Sequence, residues 1–299
     1  MRSGVERPVV FSCEGEPLIG ILHTPTSTGA SVGVLIIVGG PQYRVGSHRQ
    51  FVQLARGLAA SGYPTFRFDY RGMGDNAAQF GGFEHVTADI RAAVDAFLRE
   101  APGLDGVVLF GLCDAASAAL LYVGGDSRIL GLVLANPWVR TTGGEAKSFV
   151  RHYYGQRFLQ RSFWHKLAKG ELNVVSALHD FFSKLGRSMV HAPRHAYGTS
   201  GSFIDRMLQG FTSFAGPVLV LVSERDLTAQ EYRDLCRSSL QWKAASARPN
   251  VMTIECAGAD HTFSTRIVHE QMISDVARWL GWGVGSDSRL SHQLQGRQA

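Results

Sequence analysis

Apolar residues in this chain form short continuous runs, separated by segments with helical periodicity. Two extended runs near the start, 9–13 and 18–23, flank the turn residues Glu14-Gly15-Glu16-Pro17 and predict a hairpin. Six further apolar runs are predicted strands: 32–38, 63–68, 106–110, 129–134, 218–222 and 251–256. Helical spacing of apolar residues covers 48–61, 86–98, 115–123, 229–240 and 264–280. This alternation predicts an α/β fold, a mostly parallel eight-stranded sheet with helices on both faces.

The alternation of strands and helices is interrupted once. It stops near Asn136-Pro137 and resumes at Pro217, and the segment between is aromatic-rich with a helical pattern. The aromatic residues either line an acyl pocket or pack the interior of this segment. The predicted organisation is an α/β core of residues 1–137 and 216–283, a helical lid insertion at 138–215 and a flexible C-terminal tail at 284–299.

Composition excludes several classes of protein. With 299 residues, of which 45% are hydrophobic and 18% charged, the chain can bury a core without disulfides. Its apolar runs are far shorter than the roughly 20 residues of a membrane-spanning helix. No apolar segment follows the charged N-terminus, so we expect a cytoplasmic protein without a secretory signal. The four cysteines are widely spaced, and no metal site or cofactor is expected.

The net charge of +5 is unevenly distributed. Residues 140–206 contain eleven basic and four acidic residues, which makes this segment +7 and leaves the rest slightly acidic. A basic insertion favours an anionic partner, such as a phosphate-bearing carrier, an acidic protein or a membrane surface. A solvated helical surface is the alternative. The segment has no nucleic-acid recognition motif, and no nucleic-acid partner is expected.

A cysteine stands at one predicted strand-to-helix junction. Cys113 lies in Phe110-Gly111-Leu112-Cys113-Asp114-Ala115, between an apolar strand and a small-residue helix. The spacing fits a nucleophile elbow, a tight turn that tolerates only small side chains two residues either side of the nucleophile, here Gly111 and Ala115. The positive N-terminal end of the following helix favours a thiolate there. A buried, inert thiol is the alternative interpretation.

An acid and a histidine follow two later strands. Asp226 comes shortly after the strand 218–222, and His261 shortly after the strand 251–256. The chain order of nucleophile, acid and base, together with these strand positions, resembles the α/β-hydrolase superfamily. The resemblance implies that Asp226 orients His261 and that His261 activates Cys113.

A glycine-rich loop extends the resemblance. The string Gly39-Gly40-Pro41-Gln42 stands where the superfamily has its His-Gly oxyanion loop, with Gly39 in place of the usual histidine. Pro41 has no amide hydrogen, so the oxyanion donors implied are the backbone amides of Gln42 and Asp114.

The loop of residues 69–75 looks like the Asp-x-Arg-Gly-x-Gly loop of the same superfamily. The resemblance implies that its Asp69 and Arg71 shape the loop and take no part in catalysis.

Charged residues stand next to the proposed nucleophile and just after the oxyanion loop in the sequence. The carboxylate of Asp114 opposes formation of a thiolate unless it points away or pairs with a cation such as Arg44 or Arg49. Gly40, Arg44 and Arg49 are alternatively substrate-binding residues, with the arginines and His48 receiving a carboxylate or phosphate of the substrate. A surface or capping role is the other interpretation of these charged side chains.

Two segments resemble a narrower group. Residues 38–51, Val-Gly-Gly-Pro-Gln-Tyr-Arg-Val-Gly-Ser-His-Arg-Gln-Phe, and residues 111–115, Gly-Leu-Cys-Asp-Ala, are similar to the exosortase A system-associated hydrolase 1 group. Members of that group are encoded beside bacterial exosortase and exopolysaccharide genes. The resemblance implies a hydrolase, and dienelactone hydrolase, which also has a cysteine nucleophile, is a chemical analogue.

These observations predict a hydrolase of an ester or thioester that acts through Cys113, His261 and Asp226 and a covalent acyl-cysteine. The basic lid favours an acyl group carried on coenzyme A or an acyl carrier protein. Two alternatives stay open. One is an acyltransferase, because an acyl-cysteine reacts with amines and thiols as well as water. The other is a non-catalytic binding protein on a hydrolase fold.

Overall fold

The computed structural model describes residues 4–26, 30–40, 42–140 and 201–284. Over these residues the chain forms a sheet of eight strands in the order β1-β2-β4-β3-β5-β6-β7-β8. Strand β2 pairs antiparallel with β1 and β4, and all other pairs are parallel. The strands are β1 Val5–Cys13, β2 Glu16–Thr24, β3 Val32–Ile37, β4 Thr65–Phe68, β5 Gly106–Leu112, β6 Ile129–Ala135, β7 Val218–Ser223 and β8 Val251–Cys256. The predicted fold class is confirmed.

Seven α-helices of the described residues cover the sheet. They are α1 Gln50–Ala60, α2 Thr87–Glu100, α3 Asp114–Tyr122, α4 Phe203–Ser213, α5 Leu227–Ser238, α6 Leu240–Ser246 and α7 Arg266–Gly283. Short 3-10 turns occupy Ser47–Arg49, Phe83–His85 and Val123–Gly125. None of these helices is both long and apolar enough to cross a membrane.

The parallel strands β3 to β7 are buried on both faces, which explains their apolar sequences, whereas the edge strand β8 is partly exposed. In β3, for example, Leu35 and Ile37 face the cluster formed with α2 to α6, while Val34 and Ile36 face the cluster formed with α1 and α7. Every residue of β3, β5 and β7 is buried. This rigid layer fixes the loops at the carboxyl ends of the strands, where the proposed site residues lie.

Helix α4 falls inside the stretch 138–215 that the sequence assigns to a lid. Its Met207 and Phe211 are fully buried in the same cluster as α3. Gly210 allows the close approach, because a Cβ there would lie 1.9 Å from the carbonyl oxygen of Leu120. Helix α4 thus packs against the α/β core. Residues 141–200 of the predicted lid and 285–299 of the predicted tail lie outside the described residues, and the domain boundaries stay a prediction.

The start of α1 differs from its prediction. The periodicity predicts a helix from residue 48, but α1 begins at Gln50 because His48 and Arg49 have left-handed backbone angles, with φ of 42° and 65°. Two consecutive non-glycine residues in this region are uncommon and cost conformational energy. They place a sharp turn between the oxyanion loop and α1.

Candidate active site

Cys113 stands in a strained turn between β5 and α3. Its φ of 63° and ψ of −123° lie in a region that residues other than glycine rarely adopt. A Cβ on Gly111 would lie 2.5 Å from the backbone of Ala115, so only glycine fits there. The amide of Cys113 donates to the carbonyl of Ala135 at 2.9 Å, which ties the turn to β6. The turn has the backbone of a nucleophile elbow, and the cysteine in it is partly exposed.

An acid and a histidine are joined beside the elbow. The Nδ1 atom of His261 lies 2.9 Å from Oδ2 of Asp226. Asp226 is the N-cap of α5, and its carboxylate also accepts from the amides of Thr228 and Ala229 at 3.3 and 3.1 Å. These amides fix the carboxylate in one orientation. Since an ionised carboxylate only accepts hydrogen bonds, Nδ1 is the donor and Nε2 is left to face Cys113.

The pKa of His261 is raised from 6.5 to about 10. The hydrogen bond to Asp226 is the largest cause, and the hydrogen bond with Cys113 is the second. At neutral pH the imidazole is therefore held in its protonated form between the carboxylate of Asp226 and the thiol of Cys113. Because the pKa of His261 in the folded protein lies above its unfolded value, the protonated imidazole stabilises the fold fully below pH 6.5. This contribution is lost as the pH rises through about 10.

Asn136 is a positioning residue that the sequence analysis did not identify. It is fully buried directly after β6 and has a φ of 45°. Its Nδ2 donates to Oγ of Ser223 at 2.9 Å and to the carbonyl of His261 at 3.2 Å, and its Oδ1 accepts from the amide of Ser223 at 2.8 Å. Asn136 thereby joins the end of β7 to the loop that carries His261. An asparagine at a strand end, directly before Pro137, is the one sequence signal for this role.

We expect Asn136→Ala to lower both stability and activity. The change leaves the buried amide of Ser223 without its acceptor and frees the carbonyl of His261, which should cost about 1–3 kcal/mol of unfolding free energy. The rate should fall through a lower kcat with little change in KM. Chemical denaturation and steady-state kinetics measure the two effects. The control is Ser223→Ala, which removes only the hydroxyl acceptor, and an equal loss in both variants would contradict the role assigned to Asn136.

The carboxylate of Asp114 binds the oxyanion loop. The amide of Gly40 donates to Oδ2 of Asp114 at 2.8 Å. A Cβ on Gly39 would lie 2.0 Å from the other carboxylate oxygen, so the glycine in place of the usual histidine makes room for this side chain. Burial raises the pKa of Asp114, while the surrounding backbone amides act in the opposite direction. No ion pair joins Asp114 to Arg44 or Arg49 in the described structure, so of the two alternatives for this carboxylate the pairing with an arginine is not the one observed.

Arg44 is engaged elsewhere. Its guanidinium is nearly buried and contacts the carboxylates of Asp69 and Asp75, and its backbone amide also donates to Asp69. Two carboxylates already match its charge, which weighs against a role in binding a substrate anion. Arg49 is exposed and forms no ion pair with any described residue.

Ion pairs and hydrogen bonds fix the loop of residues 69–75, and its exclusion from catalysis stays a prediction. Besides the contacts of Asp69, Arg71 donates to both carboxylate oxygens of Asp89 at 2.9 and 3.0 Å and pairs with Glu14. Gly74, with a φ of 60°, fits against Asp69, whose Oδ2 would lie 2.2 Å from a Cβ there. The loop therefore holds Arg44 and the segment that follows the oxyanion loop.

The turn between the oxyanion loop and α1 contacts the loop that carries His261. The Nε2 atom of His48 lies 3.1 Å from the hydroxyl of Thr262, the residue after His261. Gln42 reaches the buried Gln50 at the start of α1 through a long contact of 3.5 Å. Within the described ranges, no cluster of three or more histidine, cysteine or acidic residues has the arrangement of a metal site.

Solved structures with the same fold include several esterases. The chain is 15% identical to the Pyrococcus furiosus esterase Pf2001, with a TM-score of 0.62 and 94% of each chain covered. It is also 15% identical to Est1E from Butyrivibrio proteoclasticus, a structure with ferulic acid bound, with a TM-score of 0.61 and 93% of this chain and 100% of that chain covered. The hypothetical protein PA2218 from Pseudomonas aeruginosa is 18% identical, with a TM-score of 0.60 and 94% of each chain covered. At these identities the likeness concerns the fold.

A family model gives the stronger result. No curated protein matches this chain. The model of the serine aminopeptidase S33 family of hydrolases matches residues 31–235, which include the oxyanion loop, the elbow and Asp226. The match covers more than half of the chain, although a cysteine stands at the elbow of this protein. The chain belongs to the serine aminopeptidase S33 family of α/β-hydrolases.

Proposed function

We propose that this hydrolase cleaves an ester or thioester bond through a Cys113–His261–Asp226 triad. The observation that carries the proposal is the contact of 2.9 Å between His261 and Asp226, with Cys113 hydrogen-bonded to the same imidazole from a strained elbow. The family match and the esterases among its structural neighbours support ester hydrolysis.

The chemistry follows from the charges of the three groups. The thiolate of Cys113 attacks the acyl carbon, and the oxyanion that forms is stabilised by the backbone amides of Gln42 and Asp114. The imidazolium of His261 donates its proton to the departing alkoxide or thiolate, which leaves an acyl-cysteine and a neutral imidazole. His261 then takes a proton from water, whose oxygen attacks the acyl carbon. The bond from that carbon to the Cys113 sulfur breaks, which releases the acid and returns Cys113 and protonated His261 to their starting state. Asp226 stays ionised and holds the ring throughout.

The finer substrate class is a carrier-bound acyl group. The excess of basic residues in 140–206 favours a phosphate-bearing carrier, such as coenzyme A or an acyl carrier protein. The resemblance of residues 38–51 and 111–115 to exosortase-associated hydrolases supports a role beside exopolysaccharide synthesis. An acyl transfer to an amine or sugar uses the same acyl-cysteine, and the acceptor decides between the two reactions.

Intact-protein mass spectrometry tests the proposal. Wild-type protein treated with p-nitrophenyl acetate and with acetyl-coenzyme A should gain one acetyl group, and Cys113→Ala should gain none. Cys236→Ala is the matched control and should label like wild type, because burial raises the pKa of the Cys236 thiol. Faster product release with an added amine than with water alone indicates acyl transfer. Labelling of Cys113→Ala, or no adduct and no turnover with either donor, counts against the triad and favours a non-catalytic binding protein.

A further inference from the structure

The backbone and the side chain of Asp114 lie in two different parts of the proposed site. Its backbone amide begins α3 next to Cys113, while its side chain turns back toward the oxyanion loop. There Oδ2 accepts the amide hydrogen of Gly40 at 2.8 Å, and Oδ1 lies over Gly39, which carries no Cβ to displace it. The carboxylate is thus a bridge between the loop after β3 and the first turn of α3.

This contact determines which backbone amides stay available to donate to an oxyanion. The hydrogen of Gly40 is already used by Asp114, so Gly40 cannot donate to a substrate in this arrangement. The loop is instead anchored at Gly40, two residues before Gln42. A backbone amide held in place before the reaction stabilises an oxyanion far better than one that must first be ordered.

Two opposing effects act on the carboxylate of Asp114. Burial disfavours its ionised form, and the neighbouring groups favour that form. The amides of Gly40 and Ala115 and the positive N-terminal end of α3 stabilise a negative charge. His261 faces it from the histidine loop with a positive charge. Tyr70 approaches from the loop after β4, and its buried hydroxyl has no hydrogen-bond partner in the described structure. Burial nevertheless raises the pKa of Asp114, so protonation begins at a higher pH than for an exposed aspartate.

We propose that the side-chain carboxylate of Asp114 is a positioning group that anchors the oxyanion loop on α3, and that turnover needs this anchor. The proposal rests on the function proposed above and adds a role for the side chain of Asp114, which does not touch the reacting atoms. A negative charge so near the thiolate opposes its formation, and the anchor offsets this cost. If the anchor were unimportant, removing the charge would accelerate the enzyme.

Two substitutions separate these effects. Asp114→Ala removes the acceptor for Gly40, and kcat should fall about 100-fold with little change in KM, the scale on which misplaced catalytic geometry acts. Asp114→Asn keeps an oxygen acceptor, so it should recover most of the loss. Asp205→Asn, which removes a carboxylate from the first turn of α4, is the matched control and should change neither kcat nor the pH profile.

Amide hydrogen exchange gives a readout independent of turnover. In wild type the amide of Gly40 should be protected, and in Asp114→Ala it should exchange faster while the amides of α7 stay unchanged. Unchanged exchange at Gly40, or Asp114→Ala as fast as wild type or faster, overturns the anchor. If no donor acylates wild type but exchange at Gly40 responds as expected, the proposed function fails and the contact between Asp114 and the loop still stands.

Discussion

Cys113→Ala should reduce turnover of a p-nitrophenyl ester by about four to six orders of magnitude, the range in which loss of a nucleophile acts in enzymes of this type. In the proposed mechanism the thiol forms the covalent intermediate, and it is hydrogen-bonded to the neighbouring His261. Steady-state kinetics measure the loss. The fold should persist, since alanine removes only a partly exposed sulfur atom from the side chain.

Cys113→Ser is the informative companion variant. The protein belongs to a family described as serine hydrolases, and a serine nucleophile relies on a neutral imidazole as its base. Here Asp226 and the thiol raise the pKa of His261 to about 10, and the thiol's share of this effect disappears in the serine variant. We expect activity well below wild type but above Cys113→Ala. Equal activity of Cys113→Ala and wild type would exclude Cys113 as the nucleophile.

The sequence predicts the sheet and the chain positions of the proposed triad because these depend on local patterns. Continuous apolar strands identify the parallel sheet, and the loops after β5, β7 and β8 then have to meet at one edge. The need for small residues around Cys113 can also be predicted from neighbouring residues, because Gly111 faces the backbone of Ala115 across a tight turn. Such features are visible from neighbouring residues alone.

Other features depend on contacts between distant segments. Asp114 binds Gly40, 74 residues earlier, and Asn136 binds the carbonyl of His261, 125 residues later. No periodicity or spacing indicates either contact. The same reason explains the pairing of Arg44 with Asp69 and Asp75, which the sequence analysis did not foresee. The helix predicted from periodicity also began two residues before α1. His48 and Arg49 have left-handed backbone angles, because they belong to the turn after the oxyanion loop.

Asp226→Asn should lower kcat by about four orders of magnitude, the scale seen when an asparagine replaces the acid of a triad. The carboxylate accepts from Nδ1 of His261 at 2.9 Å, and its hydrogen bond is the largest cause of the raised pKa of that histidine. An asparagine amide can instead donate to Nδ1, which places the ring proton on Nε2. That nitrogen then cannot take a proton from the thiol.

Titration of His261 by NMR tests this mechanism independently of the rate. In wild type the pKa should lie near 10, and in Asp226→Asn it should fall toward 6.5 because the neighbouring charge is gone. Asp260→Asn is the matched control, since Asp260 lies next to His261 but binds Thr262 and Ser264. It should leave the titration close to that of wild type. A His261 pKa that does not respond to Asp226→Asn would show that another group orients the imidazole, and the triad would then lack its acid.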